Sequence, residues 1–193
     1  GVNPLRFSSH ITVTKDHFDI LRQITETTQV NGQRDFSRKN GFAPALAPNE
    51  LDFANTQVFL SDNGREETIT RCNKEDLERT CAAIREAKKQ ADIVLASIHN
   101  HALDYADNTE VPLFLKTFAH RCIDAGAHAI IGHGPHELQG IEMYNGGLIL
   151  YSIGNFIFQT ETVEFQPWDA YANRNMPLDT KVGAYMDDRS KNG

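Results

Sequence analysis

The chain has 193 residues, of which 40% are hydrophobic and 23% charged, and its formal net charge is −7. That length holds one domain with a sizeable core rather than two full ones. The acid excess excludes the basic face of a general nucleic-acid binder, and no apolar run reaches the roughly 18 to 20 residues that cross a bilayer. Cys72, Cys81 and Cys122 are spaced too widely for a zinc knuckle or a redox pair. Cys81 and Cys122 fall on apolar faces of predicted helices and read as buried thiols. The opening Gly1-Val2-Asn3-Pro4-Leu5-Arg6-Phe7 has no initiator Met and no basic or apolar region of a signal peptide. It reads as mid-domain sequence, as of an excised fragment.

In chain order, residues 10–14 read as a short alternating strand. Asp16 is placed to N-cap a helix running to about residue 29, with Phe18, Leu21, Ile24 and Thr28 on one stripe. Residues 31–55, punctuated by Gly32, Gly41, Pro44 and Pro48, read as a long excursion that is helical near 50–54. Residues 57–60 and 67–70 flank Asp62-Asn63-Gly64, a turn signature that predicts a hairpin. Asn73 caps a helix over 74–90, whose first turn carries Glu75 and Asp76. Leu77, Cys81 and Ile84 keep helical spacing along it.

The run 93–98 is apolar without alternation, as in a strand covered on both faces. A polar loop over 102–110 leads to a second helix with Pro112 in its first turn. That helix points Leu115, Phe118, Ala119, Cys122 and Ile123 inward and leaves Lys116, His120 and Asp124 as a polar outer row. Ala125-Gly126 stops it, and residues 127–131 form the next buried strand. Helix-strand-helix-strand with tight connections is the signature of a parallel α/β sheet. Asn145-Gly146 between alternating runs predicts a hairpin. Residues 153–158 continue apolar, broken by Gly154-Asn155. The pattern then turns polar around Pro167, Trp168 and Pro177. Residues 1–162 are therefore expected to form the domain, and 163–193 an irregular, partly disordered tail.

The chemistry concentrates at two histidine clusters, each closing a strand-like run. His99-Asn100-His101 ends the first, and Gly132-His133-Gly134-Pro135-His136 ends the second. Residues two apart on an extended backbone share a face, which pairs His99 with His101. Two glycines and a proline after a buried strand set a sharp turn that lets a ligand approach the chain closely. Both histidines of that turn are candidate metal ligands; alternatively one binds metal while the other protonates a leaving group. Glu137 follows as a candidate partner for an imidazole. Asn155 is a candidate for coordinating a metal or positioning a substrate, or serves only a turn. His10, His17, His120 and His128 lack a partner cluster and read as structural or solvated.

Ser97-Ile98-His99-Asn100-His101, Ile123-Asp124-Ala125-Gly126-Ala127, Ile131-Gly132-His133-Gly134-Pro135-His136, Gly140-Ile141-Glu142-Met143-Tyr144 and Leu150-Tyr151-Ser152-Ile153-Gly154-Asn155-Phe156 together resemble the capsule synthesis protein CapA (poly-γ-glutamate biosynthesis) family, which is related to calcineurin-like metallophosphoesterases. The resemblance implies a layered α/β/β/α metallophosphatase-like fold, of which this chain is the carboxy-terminal part. It implies a divalent metal such as Mn, Zn or Fe held by His99, His133, His136 and, more weakly, His101, with His136 as general acid and Asn155 as a positioning group. The turn resembles Gly-His-x-His with one residue more between its histidines, which leaves open which of His133 and His136 is ligand and which is acid. The family's Asp-containing metal set does not appear before His99, so this chain by itself is expected to bind metal poorly and to be inactive. An anionic polymer or a small molecule is the implied substrate, other capsule-synthesis proteins are the implied partners, and a membrane-associated or extracytoplasmic place is the implied setting.

Overall fold

The computed structural model describes residues 3–102, 109–157, 159 and 162–192. Most of the loop expected over 102–110, and Phe158, lie outside the described residues. The chain divides into two compact units, residues 1–154 and 155–193. The first is α/β, with two four-stranded sheets, both of mixed strand direction.

The first sheet orders β2 (Glu50–Phe53), β3 (Thr56–Leu60), β1 (Phe7–Val13) and β4 (Glu67–Cys72). Strand β1 runs parallel to β3 and antiparallel to β4. The Asp62-Asn63-Gly64 turn therefore forms, but it does not make the expected hairpin: its two strands lie on either side of β1. The Asn63 side chain still builds the turn, accepting from the Arg65 N–H at 2.9 Å, and Gly64 takes φ +73°. Residues 50–53 are strand rather than helix, because Leu51 pairs with Val58, and the chain then reverses through Ala54 at φ +53°. The helix in that excursion is instead α2 (Gly32–Lys39).

Helix α1 (Lys15–Thr28) seals one face of this sheet, with Phe18 against Val13, Leu51 and Val58. Its buried face runs through Phe18 and Thr25, and Ile24 is exposed. Thr14, not Asp16, is the N-cap residue; its N–H and hydroxyl both donate to Glu66. Those bonds hold the Glu66 carboxyl down at about 2.

The second sheet orders β5 (Leu95–His99), β6 (Ala129–His133), β8 (Gly147–Leu150) and β7 (Ile141–Tyr144). The first three are parallel, and β7 returns antiparallel through Asn145 and Gly146, both at positive φ. Helices α3 (Lys74–Lys88) and α4 (Leu113–Asp124) cover one face. The Asn73 side chain caps α3, accepting from the Asp76 N–H at 3.0 Å. Helix α4 buries Phe114, Leu115, Phe118, Ala119, Cys122 and Ile123. Each of its large apolar side chains contributes roughly 1.5–3 kcal/mol by leaving water.

All three cysteines are free thiols, with Cys81 and Cys122 buried. Burial pushes the Cys72 thiol up to about 11 and raises Cys122 further still. Asp76, 1% exposed, is held by Arg6 and Arg79.

Strand β5 is not covered on both faces. Its side chains alternate, with Ala96 and Ile98 toward the helices and Leu95, Ser97 and His99 exposed. The cross-strand register carries that open face through Ile131 and His133 of β6, Leu148 and Leu150 of β8, and Ile141 and Met143 of β7. Leu95, Ile141 and Met143 are 63%, 72% and 70% exposed. Both histidine-bearing strand ends open onto this face.

The second unit, expected to be irregular, contains helices α5 (Trp168–Ala172) and α6 (Val182–Asn192). Pro167 and Pro177, read as loop markers, punctuate the helices: Pro167 is the N-cap of α5. Tyr171 is buried, its hydroxyl donates to the Thr180 carbonyl at 3.1 Å, and its ring meets Tyr185 edge-on at 5.6 Å. Arg174 pairs with Asp188 at 2.9 Å. Among the described residues, no helix is long and apolar enough to cross a membrane.

Candidate functional site

Parallel pairing of β5 with β6 places His99 directly opposite His133, and the Asn100 N–H donates to the His133 carbonyl at 2.9 Å, extending the ladder one step past the strand end. Ligands of open α/β sheets bind at this carboxyl edge. Gly134 follows at φ +129°, where a Cβ would stand 2.0 Å from the Asn100 carbonyl oxygen. Only glycine lets the two strand ends approach so closely. A Cβ on Gly132 would likewise meet the Tyr151 carbonyl oxygen at 2.0 Å. His136 sits beyond the turn at φ +66°, a left-handed conformation uncommon for a side-chain-bearing residue and concentrated at functional sites.

The four histidines are brought together as a chain. The two Nδ1 atoms of His99 and His133 are 2.6 Å apart, and His99 Nε2 is 3.0 Å from His101 Nε2. His133 Nε2 is 3.0 Å from the Ser97 hydroxyl, and the His101 and His136 ring centroids are 5.5 Å apart. His99, His101 and His136 are exposed and His133 is half-buried.

Each nitrogen-to-nitrogen contact needs one donor and one acceptor, and a neutral imidazole has one of each. Two proton patterns satisfy the chain. In one, Ser97 donates to His133, His133 to His99 through the Nδ1 pair, and His99 to His101. In the other, every donor and acceptor is reversed. The row can therefore hold a proton at either end, which is the equipment of acid–base chemistry.

Ser97 is the member that sequence reasoning missed. It lies two residues before His99 on an extended strand, so shared-face spacing could have found it. Asn155, expected to position a substrate or metal, opens the second unit and is exposed. Glu137 is exposed. Among the described residues, no group of three His, Cys, Asp or Glu is placed to hold a metal ion.

The remaining histidines have structural partners. His128 Nδ1 accepts the Val94 N–H at 2.9 Å, and His17 faces Glu66 at 2.6 Å. His10 is buried edge-on to Phe59, and burial lowers its pKa. His120 is half-buried rather than solvated. It lies 2.9 Å from Glu142 and stacks on Tyr144 at 3.8 Å. The Tyr151 hydroxyl donates to the other Glu142 oxygen at 2.6 Å, which holds the carboxyl below its ordinary range.

A two-sheet α/β unit with histidines converging at the carboxyl edge of a parallel strand pair is the class that the geometry defines. The chain belongs to the family of bacterial capsule synthesis protein PGA_cap, which matches residues 19–160. An uncharacterized protein of Sinorhizobium fredii, y4sH, is 32% identical over 160 residues, which cover 82% of this chain and 32% of that protein. The PGA biosynthesis protein CapA of Bacillus subtilis is 46% identical over 76 residues, 39% of this chain and 19% of the relative. The capsule biosynthesis protein CapA of Bacillus anthracis is 37% identical over 87 residues, 45% of this chain and 20% of the relative. The chain spans about a third or less of the length of these curated relatives.

Proposed function

We propose that this chain acts in the synthesis or processing of a poly-γ-glutamate capsule, and that its histidine edge is one side of a metallophosphoesterase-like hydrolytic site. Family membership and the relatives named for capsule and PGA biosynthesis support the first part. The observation that carries the second is the facing Nδ1 pair of His99 and His133, 2.6 Å apart at the carboxyl edge of two parallel strands.

The donor type fits a borderline divalent ion such as zinc, manganese or iron. The set is incomplete, because no three ligands are assembled among the described residues. His99 and His133 would hold the ion through Nδ1, and the outer contacts already suit that role. With both Nδ1 atoms given to a cation, His99 carries its proton on Nε2 and donates to His101, while His133 donates to Ser97. Ser97 and His101 then orient the ligands rather than bind, as outer partners of metal-bound histidines do. The ion's contribution would be Lewis acidity and activation of water. His136, on the glycine-bounded turn, is the group that gives a proton to the leaving atom, and it is exposed enough to reach substrate. In a chain of net charge −7, a cation at this edge is also what would draw an anionic polymer.

The incomplete ligand set favours a second reading, a non-catalytic polymer-binding or assembly subunit that works with other capsule-synthesis proteins. A third keeps the site and replaces the polymer with a small phosphate ester, as in a phosphoesterase or nucleotidase. Metal content of the parent protein and of His99→Ala and His133→Ala variants tests the ligand assignment. Each substitution is expected to abolish stoichiometric metal, and unchanged content in both refutes it. His101→Ala should weaken metal affinity about 10- to 100-fold without removing it. Hydrolysis of γ-linked polyglutamate but not of a phosphate ester supports the first reading. The reverse supports the phosphoesterase, and polymer binding without turnover supports the subunit.

A further inference from the structure

The first sheet carries a cavity that the histidine edge does not use. It measures about 700 Å³, the size of a small-molecule site, and lies between α2 and the strands β1, β2 and β3. Its charged lining is Arg34, Arg38 and Asp52. Asp52 is 3% exposed and receives both guanidinium groups, Arg38 by a close hydrogen bond and Arg34 at 3.5 Å. Arg38 is shared between Asp52 and Asp35, whereas Arg34 meets Asp52 only at 3.5 Å, so Arg34 is the guanidinium with hydrogen-bonding capacity left for a further anion. The two arginines differ in reach. Arg38 is 19% exposed, held between Asp52 and Asp35, and its Nε is buried without a partner among the described residues. Arg34 is 43% exposed, with Nη1 also donating to the Ala54 carbonyl at 3.2 Å. Arg38 is thus the fixed charge and Arg34 the accessible one. Gln33, Asn55 and Gln57 line the same space with side-chain amides, which donate to and accept from amide groups.

We propose that this cavity binds an organic carboxylate: Arg34 takes the carboxylate oxygens, Arg38 occupies Asp52 and so leaves Arg34 available, and the side-chain amides take amide groups of the ligand. Guanidinium matches carboxylate in shape and charge and can bind it through two parallel hydrogen bonds. Two sources present this chemistry, a free dicarboxylate and a carboxylate-bearing unit of an amide-linked acidic chain. The second rests on the capsule-polymer reading above, and the carboxylate assignment itself does not.

The test titrates glutarate, its neutral counterpart glutaramide, and short γ-linked and α-linked glutamate oligomers into the protein, following the arginine side-chain N–H resonances and the heat of binding. Glutarate is expected to shift the Arg34 signals and glutaramide to leave them in place. Arg34→Gln, which leaves the Arg38–Asp52 pair standing, is expected to weaken glutarate binding about tenfold or more while the thermal midpoint stays put. No shift with any carboxylate, an equal response to glutaramide, or parental affinity in Arg34→Gln overturns the proposal. Binding of glutarate with exclusion of both oligomers upholds the carboxylate site and removes the polymer as its source. The His99→Ala and His133→Ala variants are expected to bind glutarate normally, so loss of the metal assignment and loss of this site are scored separately.

Discussion

Replacing Gly134 by Ala puts a Cβ 2.0 Å from the Asn100 carbonyl oxygen and 2.6 Å from its carbon, at a φ of +129°. Ordinary nonbonded contact begins at roughly 3.5 Å, so the overlap is on the order of 1.5 Å. Both neighbours are backbone, and no side-chain rotation relieves it. The turn must move off Asn100, whose N–H donates to His133 at 2.9 Å. Strain from the unfavourable φ costs about 1–3 kcal/mol, overpacking about 1–3 kcal/mol, and the lost hydrogen bond about 1 kcal/mol. Together these come to roughly 3–7 kcal/mol, against a total stability of about 5–15 kcal/mol for a domain. Gly140→Ala is the control, since nothing lies within 4 Å of its added Cβ. It should stay within about 0.5 kcal/mol of the parent. Equilibrium denaturation of both variants, with hydrogen exchange at the Asn100 amide, reads the difference. The reasoning is refuted if Gly134→Ala falls within about 1 kcal/mol of Gly140→Ala, or if it is destabilised while Asn100 keeps its protection.

Asp76 is held far below the ordinary carboxylate range, first by the Arg6 side chain and then by the Arg6 N–H. A depressed folded value means stability present above the unfolded pKa of about 4 and lost as pH falls below it. Asp76→Asn should flatten the acid limb of thermal stability, and an unchanged limb would show that Asp76 does not drive it. Thiol labelling near neutral pH should reach half-buried Cys72 first and Cys122 only on unfolding, because burial raises both thiols and Cys122 the more; equal rates in the native protein would contradict this. Serine at Leu95, Ile141 or Met143 should cost under about 1 kcal/mol each by equilibrium denaturation, since these side chains are mostly exposed. A loss above about 2 kcal/mol would mean that this face is packed.

Much of the second sheet was legible because its signals are local. Asn73 caps where a cap was expected, α4 buries the set that its 3.6-residue spacing predicts, and Asn145-Gly146 makes its hairpin. The first sheet was less legible because its order is non-local. Nothing near Asp62-Asn63-Gly64 announces that β1, some fifty residues earlier, will lie between the two strands that the turn connects. Residues 50–53 become strand only once Leu51 meets Val58. The one-sided burial of β5 was hidden for a related reason: an apolar run reads the same whether its outer face is covered or open.

At the site, the sequence by itself picked out the candidate residues. It marked two histidine clusters at strand ends, with glycines where the chain turns, because residue type and short-range spacing are enough for that. Tertiary structure decided which of them meet. His99 and His133 are 34 residues apart, and only the parallel register of β5 on β6 turns them into a facing Nδ1 pair with Ser97 and His101 on their outer nitrogens. The physical reason is that a strand's own pattern sets which face a side chain takes, whereas the pairing of distant strands sets which side chain it faces.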